Sequence, residues 1–128
     1  MVSELALNAT TISDVGIHNL IPLATLKDLG LRGTKVTSDG LQFLKQFPSL
    51  ERIRLYHNPI TDDGVRHLGN VPTLRLVDLA MTQITDAALD HLKDLKSLEQ
   101  LDVSMTSLSK EAIQEFKTAH PRCTVEAY

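Results

Sequence analysis

The sequence predicts an α/β solenoid wound as a right-handed β-α superhelix, with a parallel sheet on its concave face and short helices on its convex face. Three observations carry this. The stretch Leu50 to Thr73, LERIRLYHNPITDDGVRHLGNVPT, is one unit of 24 residues, and the chain repeats it five times with no insertion or gap. A fixed period of about 20–50 residues marks a stacked-repeat architecture. Seven positions of the unit (1, 4, 6, 11, 16, 19 and 22) hold an apolar residue in every copy, in a chain that is 42% hydrophobic. Finally, positions 4 and 6 are spaced as in a strand, whereas 16 and 19 are spaced as in a helix.

Each unit therefore reads strand, turn, short helix, return loop. Position 12 carries a hydroxyl in all copies: Ser13, Thr37, Thr61, Thr85 and Ser109. Such a residue suits a helix N-cap, and Asp14, Asp62 and Asp86 beside it suit the positive helix end. Position 15 is small (Gly16, Gly40, Gly64, Ala88, Ala112), which lets each helix approach the strand of its own turn. Lys45, Lys93 and Lys117 sit near helix C-termini, and Pro48, Pro72 and Pro121 end the helices.

The pattern L-x-x-L-x-L-x-x-T-x-I-T-D-x-G-L-x-x-L resembles the 24-residue leucine-rich repeats of many bacterial proteins. More distantly, it resembles the cysteine-containing repeats of F-box adaptor proteins. The resemblance spans the whole chain and implies a single domain, 1–128, with repeats 2–25, 26–49, 50–73, 74–97 and 98–121 and a closing strand segment at 122–128. Position 9 departs from the general family: Asn58 conforms, whereas Thr10, Thr34, Thr82 and Thr106 replace the usual Asn. A threonine satisfies loop backbone groups with a shorter reach. The cysteine expected near this place in the F-box-like class is missing.

In order along the chain, repeat 1 has no unit before it. Val2, Leu5, Leu7, Ile12, Ile17, Leu20 and Leu23 would present a flank to water, interrupted by Met1, Ser3 and Glu4. A free parallel edge is a template for pairing. The flank is expected to meet preceding repeats of a longer chain or a second copy, giving a homodimer through repeat 1. His67 and His91 share position 18 on adjacent helices and read as surface residues about 10 Å apart rather than a metal pair. Asp62-Asp63-Gly64 lacks the alternating carboxylates of a calcium loop and reads as helix capping. Cys123 to Glu126 reads as a final strand. His120 and Cys123 have no third group or oxyanion device beside them, so Cys123 reads as structural.

The net charge of −3 draws the chain towards neither nucleic acid nor anionic membrane. No apolar run of about 18 residues exists to span a bilayer. One cysteine, together with the lack of an apolar leader, points to a reducing, cytoplasmic setting. No cofactor or metal is implied, and no acid, base and nucleophile converge, so the expectation is a binding module rather than an enzyme.

With positions 4 and 6 in the core, positions 3, 5 and 7 face outward from the sheet. The third strand stands out, with Arg52, Arg54, Tyr56 and His57; Arg32, Leu76, Asp78 and Asp102 neighbour it. Arg and Tyr are enriched in interface hot spots, and Gly30, Gly33 and Ala80 leave them room. These eight residues are the candidate site for a protein partner. The bland alternative pairs Arg52 with Asp28 and Arg54 with Asp78 across rows, a neutralised ladder worth about 0–1 kcal/mol per pair. The three rows hold 15 residues, fewer than the roughly 20–30 of a standard interface. Two further readings stand: a structural segment of a longer protein, and a substrate-recognition arm of an enzyme complex such as a ubiquitin ligase.

Overall fold

A computed structural model describes residues 2–128; Met1, named above as interrupting the flank, lies outside the described residues. Six three-residue strands, β1 (Glu4–Ala6), β2 (Asp28–Gly30), β3 (Arg52–Arg54), β4 (Leu76–Asp78), β5 (Gln100–Asp102) and β6 (Thr124–Glu126), form one parallel sheet in sequence order. The register follows the repeat, Glu4↔Asp28↔Arg52↔Leu76↔Gln100↔Thr124. Position 4 (Leu29, Ile53, Val77, Leu101) and position 6 (Leu31, Leu55, Leu79, Val103) are buried in one continuous core. The final strand begins one residue later than its sequence expectation.

The return side is made of α1 (Asp14–Asn19), α2 (Asp62–Leu68), α3 (Ala87–Leu92) and α4 (Lys110–Ala119), with a 3₁₀ helix at Ser38–Gln46 in repeat 2. Core positions 16, 19 and 22 step by three, so three-residue winding keeps Leu41, Leu44 and Phe47 on the core side.

The position-12 hydroxyls behave differently from expectation. Ser13, Thr37 and Thr61 precede their helices without a side-chain cap, and Asp86 rather than Thr85 precedes α3. Among the described residues, Ser109 is the helix cap of this kind, accepting from the Ala112 N–H at 3.1 Å. The hydroxyls of Thr37, Thr61, Thr85 and Ser109 are used between repeats. The backbone N–H and hydroxyl of Thr37 both donate to the Asp14 carboxylate (2.8 and 2.6 Å). Thr85 does the same to Asp62, and Ser109 to Asp86. At the remaining junction Ser38 Oγ accepts from the Thr61 N–H at 2.9 Å. The small residue at position 15 makes room for this stitch. A Cβ on Gly40 would fall 2.3 Å from Asp14 Oδ1, and one on Gly64 2.8 Å from Ser38 Oγ, so in these two repeats the close approach is to the preceding repeat, whereas one on Gly16 would fall 2.4 Å from Ile12 of its own turn.

Position 8 turns the chain through the left-handed region in all five repeats. Gly33 adopts φ 59° without strain, whereas Ala9, His57, Met81 and Met105 hold φ of 54–59°, a conformation costing an L-residue about 1–2 kcal/mol. Position 9 then secures the turn. Thr10, Thr34, Thr82 and Thr106 each donate to the carbonyl three residues back within their own repeat. Asn58 reaches further: its amide donates to the Leu31 carbonyl of the preceding repeat at 2.6 Å and its oxygen accepts from the Thr34 N–H at 2.8 Å.

Repeat 1 is better covered than its sequence suggests. Ile17 is fully buried, and Leu5, Leu7, Ile12, Leu20 and Leu23 pack half-buried against the core; Val2 remains exposed. Helix α1 packs on the 3₁₀ helix and leaves its own Val15 exposed.

Asn58→Ala would strand a buried N–H, which costs about 1–3 kcal/mol. Thr106→Ala, which removes one local bond, should cost about 1 kcal/mol or less. Urea unfolding of the two variants measures the gap, and equal losses would remove the special status of Asn58.

Candidate functional site

The outward rows of the sheet place the eight expected residues on one face. Arg54 does form an ion pair, but with Asp28 of the adjoining strand and not with Asp78. Arg52, whose backbone is the register partner of Asp28, has no ion pair among the described residues. Both row-wise pairings are thereby corrected. A diagonal neighbour lies about 7–8 Å away, within reach of an arginine stem, and Asp28 takes the diagonal donor. Arg32 lies over the Tyr56 ring, 4.8 Å from its centroid, and Tyr56 meets His57 edge-on at 6.1 Å. Cation–π contact holds Arg32 upright over β3.

On the other half, Leu76 is half-buried at the centre of the face. Asp78 Oδ1 accepts from the Ala80 N–H at 3.0 Å, and Asp102 Oδ1 from the Ser104 N–H at 2.9 Å. Burial pushes the Asp78 carboxyl above its ordinary value; the Ala80 N–H opposes this, Asp102 adds to it, and Arg32 and Arg54 oppose it. An acid is thus held on the face against its own solvation preference.

Two features escaped the sequence reading, an extended acid row and a depression beside it. Because β6 keeps the register, Glu126 extends the position-5 row to Arg54, Asp78, Asp102, Glu126. Carrying the 24-residue frame past residue 121 would have found it. A depression of about 160 Å³ opens over this half of the sheet, lined by Leu76, Val77, Leu101 and these charged side chains. At the rim, Met81 and Met105 are exposed. The face therefore divides: uncompensated Arg32 and Arg52 over β2 and β3, carboxylates over β4 to β6.

Other candidates resolve locally. His67 is half-buried, and burial, Arg66 and Lys45 all lower its pKa. Both ring nitrogens of His120 face carbonyl oxygens, of Phe116 and Lys93. Cys123 is buried, and burial pushes its thiol up to about 11, which leaves little thiolate at neutral pH. Arg75, in the row below the sheet face, pairs with Glu99 at 2.8 Å and Glu51 at 3.8 Å as an exposed ladder of small energetic weight.

With this geometry established, the similarities are consistent. The leucine-rich repeat family model matches residues 48–69. No curated protein matches the chain in a sequence search. Among solved structures, a leucine-rich repeat protein of Leptospira interrogans superposes with a TM-score of 0.71 over 95% of this chain at 21% identity. An internalin of Listeria monocytogenes gives 0.69 over 99% at 19% identity, and the leucine-rich repeat ectodomain of a receptor kinase of Arabidopsis thaliana 0.60 over 97% at 18%. The fold is that of a leucine-rich repeat solenoid. The chain spans 30%, 43% and 66% of those three chains, respectively. No helix of the described residues is long and apolar enough to cross a membrane.

Asp78 binds its proton more tightly in the folded chain than in the unfolded one, so its ionisation costs stability as pH rises above its ordinary value. Asp78→Asn keeps an oxygen for the Ala80 N–H and removes that cost. The variant should melt higher than the parent at pH 7 and close to it at about pH 2, where the parent's Asp78 is protonated in both the folded and the unfolded chain; a lower melting temperature at pH 7 would contradict the burial argument.

Proposed function

We propose that the chain is a protein-binding module that grips a partner through the concave sheet face. The observation carrying this reading is the division of labour within the repeat. Core positions and the inter-repeat stitch meet the needs of the fold, yet Arg52 and the Arg32–Tyr56 stack stand outward with no structural task. Arginine and tyrosine in a partly desolvated surface are the residue types that dominate binding energy. Arg54, tied to Asp28, acts as a support beneath them. We read the repeats as the bacterial 24-residue type, in keeping with the period and with the two bacterial neighbours.

The test is capture from a cell lysate with wild-type protein and with Arg32→Ala/Arg52→Ala/Tyr56→Ala. The variant should keep its melting temperature within a few degrees, because all three side chains project from the sheet. Wild-type protein should retain a partner that the triple variant loses. A partner retained equally by both would move the binding surface elsewhere.

A second reading adds self-association. The outer edge of β1 pairs with no strand among the described residues, and Val2 is exposed beside it. A homodimer through repeat 1 should then appear in light scattering across a dilution series. A monomer at every concentration would eliminate it.

A further inference from the structure

The half of the sheet face over β4 to β6 presents a different chemistry from the arginine patch. Met81 and Met105 hold the left-handed conformation that Gly33 takes without strain in repeat 2. Neither joins the core: Met105 is 61% exposed and Met81 36%. Large apolar side chains thus stand in water at positions where a glycine would satisfy the turn. Asp78 and Asp102 lie three residues before them, at the ends of β4 and β5, and Glu126 continues the acid row on β6. Asp78 and Asp102 each give one oxygen to their own strand. None of the three carboxylates has a salt-bridge partner among the described residues. Beside the acids the depression is lined by the half-buried Leu76, while Val77 and Leu101 keep their side chains in the core beneath it.

We infer that this surface takes an amphipathic, basic helical segment of a partner protein. The lysines or arginines of the segment meet the acid row, and its apolar stripe meets the two methionines. Methionine is flexible and polarizable, and so accommodates apolar side chains of varied shape. A row of unpaired carboxylates favours cations and repels the phosphates of nucleic acid. Three adjacent strands span about 10 Å, close to two turns of helix, so the segment lies across the strands. The inference rests on the concave-face reading and names the partner chemistry of its C-terminal half.

The probe is a labelled peptide of about 18 residues, built of leucine and lysine at helical spacing. Its controls are a shuffled peptide of equal composition and a glutamate-for-lysine analogue. Fluorescence anisotropy against the full chain should show the amphipathic peptide binding about tenfold or more tighter than the shuffled one, with the glutamate analogue unbound. Met81→Ser/Met105→Ser should erase the gap between amphipathic and shuffled peptides while leaving the salt dependence in place. Asp102→Asn/Glu126→Gln should flatten the salt dependence. All four residues lie outside the core, so both double variants should fold. Equal affinity of wild-type protein for the two lysine peptides, or binding unmoved by either double variant, would overturn the inference. If the arginine–tyrosine variant loses a lysate partner while the peptide fails to bind, the concave-face reading stands and this inference falls.

Discussion

Each turn of this chain hands backbone donors to the turn before it, and the architecture depends on those donors being accepted. Where repeats meet on the return side, the N–H of position 12 faces the preceding repeat. An Asp at position 13 of that repeat (a Ser at one junction) takes it. An acceptor with two oxygens can also take the neighbouring hydroxyl, which explains why Thr or Ser recurs there. The requirement propagates to position 15, where Gly40 and Gly64 sit too close to that acceptor for a side chain without local adjustment. Ala88 and Ala112 occupy the same position later in the chain, so the spacing relaxes towards the C-terminal repeats. Lys110 at position 13 of repeat 5 departs from this pattern, offering no side-chain acceptor.

The translational part of the structure was legible because it is periodic. Strand register, the apolar core and the outward rows all follow from one count of 24, and the count would have given Glu126 had it been carried on. What could not be read was the choice among partners within reach. Arg54 has carboxylates beside and diagonal to it, and side-chain reach decides between them. The hydroxyls of position 12 fit a helix cap and an inter-repeat bond equally well on paper; the carboxylate that position 13 of the preceding repeat brings within reach selects the latter. The strain at Met81 and Met105 was illegible for another reason. Nothing in a methionine signals a left-handed backbone, and only alignment with Gly33 across the register hints at it.

The same periodicity separates stability from recognition. Substitutions along positions 4, 6, 16 and 19 act on the core, whereas most side chains at positions 3, 5, 7 and 8 stand outside it, the buried Ala80 and Ser104 excepted. Such a face can change its partner without changing its frame. In this chain the freedom has produced two unlike halves, one arginine- and tyrosine-bearing, the other acidic with methionines at its rim. Arg54 marks the border, neutralised on one side by Asp28 and adjoining Asp78 on the other.

The strand spacing sets a vernier on what such a face can read. Carboxylates of the acid row recur about every 4.8 Å, the distance between strands. Equivalent side chains of a helix laid across them recur about every 5.4 Å, one pitch. The two rulers slip by about 0.6 Å per strand, so three consecutive charges stay in step and a much longer run would not. Ligand length is therefore bounded by the mismatch of two backbone repeats, independently of which side chains the face displays.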